Sequence, residues 1–177
     1  AALLLAFLPQ FERMSFALSA LEYALLGRAP RVSAFAQPSR EDEGAAYRAL
    51  EWAGAAELAD RRVNELSGGE LQLVRIARCL AQDTPAIVMD EPTSMLDPAH
   101  ALMVAGAVRR LVASGRTIVF STHDAAFAAY AADEVCLMRE GADLFRGPAA
   151  EALEAGRLAA CFGVPFGPST APSAFSR

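Results

Sequence analysis

Two short apolar segments with a helix-forming segment between them constrain the fold of this chain more than any other feature. Ala86 to Asp90 and Thr117 to Ser121 are apolar runs of strand length, which are typical of buried parallel strands. Between them, Asp97-Pro98 predicts an N-cap followed by proline at the first helical position, and Gly115 predicts the end of that helix. Strand, helix and strand in this order predict a right-handed crossover in a parallel sheet, and therefore an α/β fold.

Acidic and imidazole side chains follow these two strands. Asp90 and Glu91 close the first apolar run, and His123 comes two residues after the second. Parallel strands place their carboxyl ends at one edge of the sheet, where open α/β sheets bind ligands. The three side chains are therefore predicted to converge, although an Asp-Glu pair before proline, taken alone, is also typical of a turn or a helix start.

A glycine-containing stretch, Leu66-Ser67-Gly68-Gly69-Glu70, precedes a long apolar segment. The Ser67-x-x-Glu70 spacing predicts a capping box and a helix start. The glycines permit an unusual backbone turn and a close approach by a ligand, and a helix N-terminus favours anions. A glycine-rich turn before a core helix explains the stretch equally well when it is taken alone.

The remaining elements are predicted from caps and breakers. Ser15 predicts a helix that stops at Pro30, with Phe16, Leu21, Leu25 and Leu26 inward, and residues 29–40 predict a loop. Arg28 and Arg31, near the start of this loop, are expected to border solvent. The other expectations are a buried strand over Ala1 to Leu8, a helix from Ser39 to about Gly54, a helix from Asp124 to about Ala131, a hairpin turning at Glu140-Gly141, a helix from Pro148 to about Leu153, and a disordered tail from Val164.

Composition excludes several classes of protein. The net charge is −5, and no cluster of basic residues suggests a surface that coats nucleic acid. No uninterrupted apolar run reaches membrane-spanning length. Cys79, Cys136 and Cys161 are widely spaced and odd in number, so reduced and mostly buried thiols are expected.

Five segments, read together and in order, resemble the ATPase subunit of ABC transporters. Besides the LSGGE signature motif at 66–70, they match the family's Q-loop, Walker B strand with its following acid, D-loop and switch histidine. In this sequence they are Phe7-Leu8-Pro9-Gln10, Ile87 to Glu91, Ser94-Met95-Leu96-Asp97 and Ser121-Thr122-His123-Asp124. Shorter similarities at 27–31, 49–50 and 58–61 resemble importers of the siderophore, haem and cobalamin group.

The resemblance implies a partial P-loop NTPase domain, with a parallel sheet core and a helical subdomain. It divides the chain into a strand and Q-loop (1–10), a helical subdomain with the signature (11–82), an α/β core (83–163) and a tail (164–177). No G-x-x-x-x-G-K-[ST] segment occurs in the sequence. The chain is therefore expected to lack the family's N-terminal lobe, as a truncated piece or half of a split protein.

The resemblance also implies roles for individual residues. Asp90 and Gln10 would hold Mg²⁺, Glu91 would be the general base for ATP hydrolysis, and His123 would contact the γ-phosphate. Ser67, Gly68, Gly69, Glu70 and Asp97 would face nucleotide held by a second ATPase subunit in a head-to-tail dimer. The implied partners are ATP, that second subunit and a transmembrane permease, which would place the protein at the cytoplasmic face of the cell membrane.

Two other classes of function remain as alternatives. The chain could be a non-hydrolysing binding module that docks on a permease or a partner ATPase and donates its signature motif. Chromosome-organising ATPases carry similar signatures, but they need a long coiled coil, and no sustained heptad pattern occurs here. Nucleic acid is therefore not expected as a partner.

Overall fold

The structure, a computed structural model, describes residues 2–12, 17–33, 36–94 and 96–166 of the 177. Clustering divides the chain into two compact units, Ala1–Ser121 and Thr122–Arg177. Within the described ranges, no helix combines the length and the hydropathy needed to cross a bilayer. The elements are strands β1 (Leu5–Leu8), β2 (Ala86–Asp90), β3 (Thr117–Ser121), β4 (Glu134–Arg139) and β5 (Ala142–Pro148), and helices α1 (Ala20–Leu25), α2 (Arg40–Ala53), α3 (Gly68–Ala81), α4 (Pro98–Ala113), α5 (Ala125–Ala131), α6 (Ala149–Ala152) and α7 (Ala155–Phe162), with 3₁₀ turns at Leu26–Arg31, Ala56–Leu58 and Val63–Glu65.

A three-stranded parallel sheet in the order β1-β2-β3 is the centre of the first unit. Leu8 pairs with Met89 across the first pair of strands, and Asp90 pairs with Ser121 across the second. The predicted parallel α/β arrangement is therefore confirmed. All three strands end at the same edge of the sheet.

One face of this sheet is buried and the other is largely open. Ala6, Leu8, Ile87 and Met89 are almost inaccessible, whereas side chains of the opposite face, including Phe7 and Val119, are about half exposed. The predicted burial of the Ala1–Leu8 run is wrong in part, because the strand begins only at Leu5 and its side chains alternate between the two faces. An apolar run indicates a potential for burial, but each strand face is buried only where another element packs on it.

Helix starts follow the predicted caps closely. The side chains of Ser39, Ser67, Asp97 and Asp124 each accept a hydrogen bond from a backbone N–H in the first turn of the helix that follows. Such bonds satisfy amides that have no partner within the helix. Because a cap involves only residues close in sequence, it can be read from the sequence alone.

The first helix is the exception. Ser15 and Phe16 lie outside the described residues, and α1 begins at Ala20 with a capping box formed by Ser19 and Glu22. That pair has the S-x-x-E spacing, so the true start was visible in the sequence. The buried residues of α1 are Ala20, Tyr23 and Ala24, and Leu26 is exposed.

The 3₁₀ segment after α1 lies tightly against α3. A Cβ atom on Gly27 would overlap the carbonyl oxygen of Arg78. Nε of Arg28 donates to Oδ1 of Asp42 (2.9 Å), and its Nη1 donates to the carbonyl of Ala81 (3.0 Å). The solvent-facing position expected for Arg28 is therefore wrong, because its guanidinium joins α2 to the end of α3.

The carboxylate that receives Arg28 also caps α2. The backbone N–H of Ser39, then its hydroxyl, and then the Arg28 guanidinium lower the pKa of Asp42 to about 2. Arg31 is exposed, as predicted, and its guanidinium also donates to the backbone carbonyl of Gln82 (3.1 Å).

The second unit contains the predicted β4–β5 hairpin. Glu140 and Gly141 both have positive φ, +53° and +80°, as a tight hairpin turn requires. Helix α7 was not predicted. Of the predicted tail, residues 164–166 are described and form neither helix nor strand, while 167–177 lie outside the described residues.

The three cysteines are free thiols in different surroundings. Cys79 is buried on α3, Cys161 is half-buried, and Cys136 is exposed. Burial raises the pKa of the Cys79 thiol to about 11, which makes it unreactive near neutral pH. The expectation of mostly buried thiols is wrong for Cys136, because its side chain lies on the exposed face of β4.

Replacing Gly27 by alanine is expected to lower the free energy of unfolding by about 1–3 kcal/mol, the range typical of overpacked interiors. The matched control is Gly44→Ala in α2, where the added methyl group would meet only the mobile end of the Arg48 side chain. There alanine is favoured over glycine by about 0.5–1 kcal/mol. Urea unfolding of both variants measures the difference, and equal stabilities would contradict the close contact with Arg78.

Candidate functional site

The ends of β2 and β3 are joined by a side-chain hydrogen bond. The hydroxyl of Ser121 donates to Oδ1 of Asp90 (2.6 Å) and accepts from the backbone N–H of Glu91 (3.0 Å). Ser121 therefore orients the Asp90 carboxylate and the start of the following turn. It was not predicted as a site residue, although its position as the last residue of an apolar strand opposite Asp90 could have indicated it.

Glu91 has an unusual backbone conformation. Its φ of +48° lies in the left-handed region, which non-glycine residues enter at a cost of about 1–3 kcal/mol, in turns as well as at functional sites. The chain turns there at once, since the N–H of Ser94 donates to the Glu91 carbonyl (3.1 Å). Glu91 is thus held immediately beside Asp90 at the end of β2. This position suits a residue that acts on a phosphate bound at the edge of the sheet.

The donors at this edge suit magnesium bound together with phosphates. Oδ2 of Asp90 accepts no hydrogen bond from the described residues, and Gln10 lies two residues beyond the end of β1 at the same edge. Nowhere in the described part of the chain do three or more His, Cys, Asp or Glu side chains gather for a metal. Mg²⁺ commonly takes one or two protein carboxylates and completes its shell with water and phosphate oxygens, and Asp90 fits that pattern.

The glycine-containing stretch forms the capped start of α3. The hydroxyl of Ser67 accepts from the N–H of Glu70 (3.3 Å), and the Glu70 carboxylate accepts from the N–H of Ser67 (2.8 Å) and from Arg61 (2.7 Å). The backbone N–H of Ser67, then its hydroxyl, and then Arg61 lower the pKa of Glu70. The predicted capping box is confirmed, and its carboxylate is already engaged by its own chain.

The two glycines do not form an unusual turn, so that expectation is wrong. Neither Gly68 nor Gly69 has a positive φ, and both belong to the first turn of α3. Apart from its chain neighbours and the adjacent backbone of α3, no described atom lies within 4 Å of the position that a Cβ on Gly68 would occupy. The absence of a side chain therefore leaves the first amides of α3 open to a ligand, which is the other role expected of glycine here.

Asp97 caps α4 and binds a histidine that the sequence analysis missed. Oδ1 of Asp97 accepts from the N–H of His100 (2.9 Å), and Nδ1 of His100 lies 2.7 Å from Oδ2. The backbone N–H of His100, and then its ring, lower the pKa of Asp97. A Cβ on Gly69 would lie 3.2 Å from the His100 ring. The His100 ring, three residues after the D-loop, therefore lies against the start of α3. The i, i+3 spacing of Asp97 and His100 was the available signal.

His123 lies two residues after β3, in the second unit, and its side chain is exposed. The next residue, Asp124, caps α5 through bonds to the N–H groups of Ala126 (2.8 Å) and Phe127 (3.1 Å). His123 also borders an open cavity lined by Phe162, Val164 and Phe166. Its approach to Asp90 remains a prediction.

Comparison with known proteins agrees with this geometry. The model of the "ABC transporter" family matches residues 4–94, just over half of the chain. The chain is 39% identical over 168 residues to the hemin import ATP-binding protein HmuV of Burkholderia thailandensis; the match covers 89% of this chain and 62% of that protein. The chain thus spans less than two thirds of the length of this relative.

Solved structures give the same result for the fold. An inward-facing structure of a transporter described as metal-chelate type has a TM-score of 0.84 and 33% identity, covering 91% of this chain and 64% of that one. A dimeric bacterial ABC transporter cassette has a TM-score of 0.73 and 27% identity, covering 84% and 64%. The described fold therefore corresponds to about two thirds of such a cassette.

Replacing His100 by alanine is expected to raise the pKa of Asp97, because the ring contact is lost. The pKa should stay below its usual value, because the backbone N–H at position 100 still donates to Oδ1. A carboxyl NMR titration measures it, with Glu70 as an internal control whose pKa should not change. An unchanged Asp97 pKa would show that the His100 ring does not stabilise this carboxylate.

Proposed function

From the premise that the chain belongs to the ATP-binding subunits of ABC transporters, we propose that the full-length protein hydrolyses ATP to drive import of haem or another iron chelate, or of cobalamin. The observation that carries this proposal is the common edge at which β1, β2 and β3 end. Gln10 lies two residues beyond β1, Asp90 is the last residue of β2, and Glu91 directly follows it. Phosphoryl transfer to water requires placed charge, a metal and an oriented nucleophile rather than covalent chemistry.

Asp90 and Gln10 are proposed to hold Mg²⁺ that accompanies ATP. When bound, Mg²⁺ neutralises charge on the phosphates. Ser121 keeps the Asp90 carboxylate oriented through the 2.6 Å bond to Oδ1 and leaves Oδ2 available. Glu91 is proposed as the general base that takes a proton from the attacking water, and His123 as the γ-phosphate contact. A base must lie within hydrogen-bond reach of that proton, and the left-handed turn at Glu91 supports this role.

The start of α3 is proposed to bind the γ-phosphate of nucleotide held by a second ATPase subunit. Ser67 and the first amides of α3 offer hydroxyl and N–H donors, and Gly68 leaves them accessible. Asp97 would lie at the same interface, joined to the first turn of α3 by His100. Glu70 was expected to face the nucleotide as well, but its bonds to Ser67 and Arg61 support a positioning role.

The substrate class and the partners follow from the similarities. One relative is a hemin import protein and one similar structure is of a metal-chelate type transporter, which supports haem or iron chelates. We propose that residues 11–82 form a helical subdomain that docks on a transmembrane permease, beside the core segments 1–10 and 83–163. The protein would then lie on the cytoplasmic face of the cell membrane, and its second subunit would be a dimer partner as in the dimeric cassette.

Glu91→Gln in the full-length protein is expected to abolish ATP hydrolysis while ATP binding is retained, because the amide keeps the size of the side chain but cannot take a proton. Loss of a general base typically lowers the rate about 10²–10⁴-fold. Steady-state hydrolysis and nucleotide binding measure the two effects. Glu57→Gln, at an exposed position, is the matched control and should leave both unchanged. Undiminished turnover by Glu91→Gln would refute the assignment.

A second candidate function is a non-hydrolysing module that docks on a partner and donates the signature motif. It is favoured by one observation, since no segment of these 177 residues has the G-x-x-x-x-G-K-[ST] pattern, whose amides and lysine cradle phosphates. We accordingly propose that these 177 residues alone do not turn over ATP.

Mixing the 177-residue chain with a partner ATPase whose own signature is disabled tests this module directly. If the chain donates its signature, ATP hydrolysis by the partner should be restored, and Ser67→Ala in the added chain should reduce the restoration. Absence of any restoration counts against the module. Intrinsic hydrolysis by the 177-residue chain, abolished by Glu91→Gln, would instead exclude the non-hydrolysing role.

A further inference from the structure

One face of α3 carries a row of polar side chains that the proposed chemistry does not use. Gln72, Arg75 and Arg78 are spaced three residues apart and so lie on one side of the helix. Arg75 is the most notable, because its side chain is more than nine-tenths buried. A buried cation is tolerated only where neighbouring groups compensate its charge.

Arg75 is compensated chiefly by backbone carbonyls of the Q-loop. Its Nη2 donates to the carbonyl of Pro9, and its Nη1 donates to the carbonyl of Gln10 (3.2 Å). These two residues directly follow the end of β1, so their carbonyls lie outside the described strand pairing. One planar guanidinium therefore binds two successive carbonyls, an arrangement that depends on the fixed fork of arginine.

Gln72 extends the connection to the segment after the Walker B strand. Nη1 of Arg75 also donates to Oε1 of Gln72 (2.7 Å), and Nε2 of Gln72 donates to the carbonyl of Pro92 (2.9 Å) in a buried bond. Pro92 is the residue after Glu91. The same helix is thus bonded to the backbone on both sides of the proposed metal and water site.

A carboxylate close to this guanidinium, that of Glu12, is shared with a second arginine. Oε2 of Glu12 lies 3.8 Å from Nε of Arg75 and 3.2 Å from Nη2 of Arg78, and it accepts a hydrogen bond from the hydroxyl of Tyr23 (2.6 Å). Burial, and then the bond to Glu12, raise the pKa of Tyr23, so the tyrosine stays neutral. Two cations therefore share one anion, and Arg75 depends on the Q-loop carbonyls for the rest of its compensation.

Helix α3 connects this contact to the signature motif. Ser67 caps the helix eight residues before Arg75, a distance of about 12 Å at 1.5 Å per residue. A helix of this length moves as a rigid element. A displacement of Pro9 and Gln10 that breaks their bonds would leave the buried guanidinium with only Gln72 and the shared Glu12 carboxylate as partners. Movement of α3 together with these two residues keeps the bonds and is therefore the less costly response.

We propose that Arg75 is a positioning residue that couples the Q-loop to the signature motif, so that movement of Gln10 displaces Ser67, Gly68 and Gly69. The proposal rests on the proposed function for the role of the two motifs. In that setting Gln10 senses the metal and the water, and Arg75 transmits the change to the surface that faces the second subunit. Gln72, which bonds to both Arg75 and the carbonyl of Pro92, connects the segment after Glu91 to the same helix.

Hydrogen exchange in the full-length protein tests the coupling. Arg75→Met is expected to raise amide exchange by about tenfold both at Phe7 and Leu8, at the end of β1, and at Glu70 and Leu71, whose N–H groups donate to Ser67. A change of this size is typical of coupling residues. Arg78→Met is the matched control, since it removes a neighbouring guanidinium that binds Glu12 but neither Q-loop carbonyl. It should leave all four amides unchanged. Faster exchange at only one of the two segments, or at both in Arg78→Met as well, would overturn the proposal.

Arg75→Lys serves if Arg75→Met does not fold, as judged by thermal unfolding. Lysine keeps the charge but cannot bind both carbonyls as a planar fork, so exchange should rise in the same two segments, by a smaller factor. Unchanged exchange in Arg75→Lys together with normal hydrolysis would also overturn the coupling.

ATP hydrolysis supplies the functional readout. In Arg75→Met, kcat is expected to fall about tenfold while KM for ATP stays within about twofold, because the residue positions the catalytic arrangement without touching ATP. A rise in KM alone would contradict a positioning role. If the wild-type full-length protein does not hydrolyse ATP, the proposed function fails, and the exchange measurements still decide the role of Arg75.

Discussion

Parallel pairing of β1, β2 and β3 is the constraint on which the rest of the first unit depends. The register that places Leu8 beside Met89 and Asp90 beside Ser121 makes the three strands end together. Residues that are about 80 and 30 positions apart in sequence then follow neighbouring strand ends. Without this register, Gln10 and Asp90 would be unrelated polar residues on separate loops, and the 2.6 Å bond from Ser121 to Asp90 could not form.

The second constraint is helix α3, which joins the two kinds of surface that the proposed function needs. Its first turn presents Ser67 and Gly68 outward, while Gln72 and Arg75 on the following turns bind backbone carbonyls beside the strand ends. The contact between Arg75 and the Q-loop carbonyls is costly to break, because the arginine side chain is nine-tenths buried and its charge needs hydrogen-bond partners. His100 adds a further contact between α4 and the first turn of α3. The donors proposed to face a second subunit and the residues proposed to hold the metal are therefore connected by hydrogen bonds through α3.

Local chemistry explains why most element boundaries could be predicted. The caps at Ser39, Ser67, Asp97 and Asp124, the proline that opens α4 and the positive-φ turn at Glu140-Gly141 each involve residues close in sequence. The errors have equally local or clearly tertiary origins. Ser15 was chosen as a cap although Ser19 and Glu22 have the better spacing, whereas Arg28 was placed in solvent because its partners, Asp42 and Ala81, lie 14 and 53 residues away.

The candidate site was predicted less completely than the fold. The resemblance to the family implies roles for Asp90, Glu91 and the signature residues, but it does not indicate the groups that bond to them or to their neighbours, which are Ser121, His100, Gln72 and Arg75. Each of these acts through hydrogen bonds to a backbone or side-chain atom whose position depends on packing. The strand-end position of Ser121 and the i, i+3 spacing of Asp97 and His100 were the available signals, whereas nothing in the sequence indicates that an arginine within a helix binds backbone carbonyls of a distant loop.

The sequence by itself determined which segments become helices and strands, the parallel α/β class and the family to which the motifs point, because caps, breakers and apolar runs act over a few residues. Only the tertiary structure decided which sheet face is covered, which carboxylate oxygen is left available at Asp90, and that a buried arginine binds the Q-loop. Those outcomes depend on strand register and on the compensation of charge within a packed interior, where the partners are distant in sequence and near only in space.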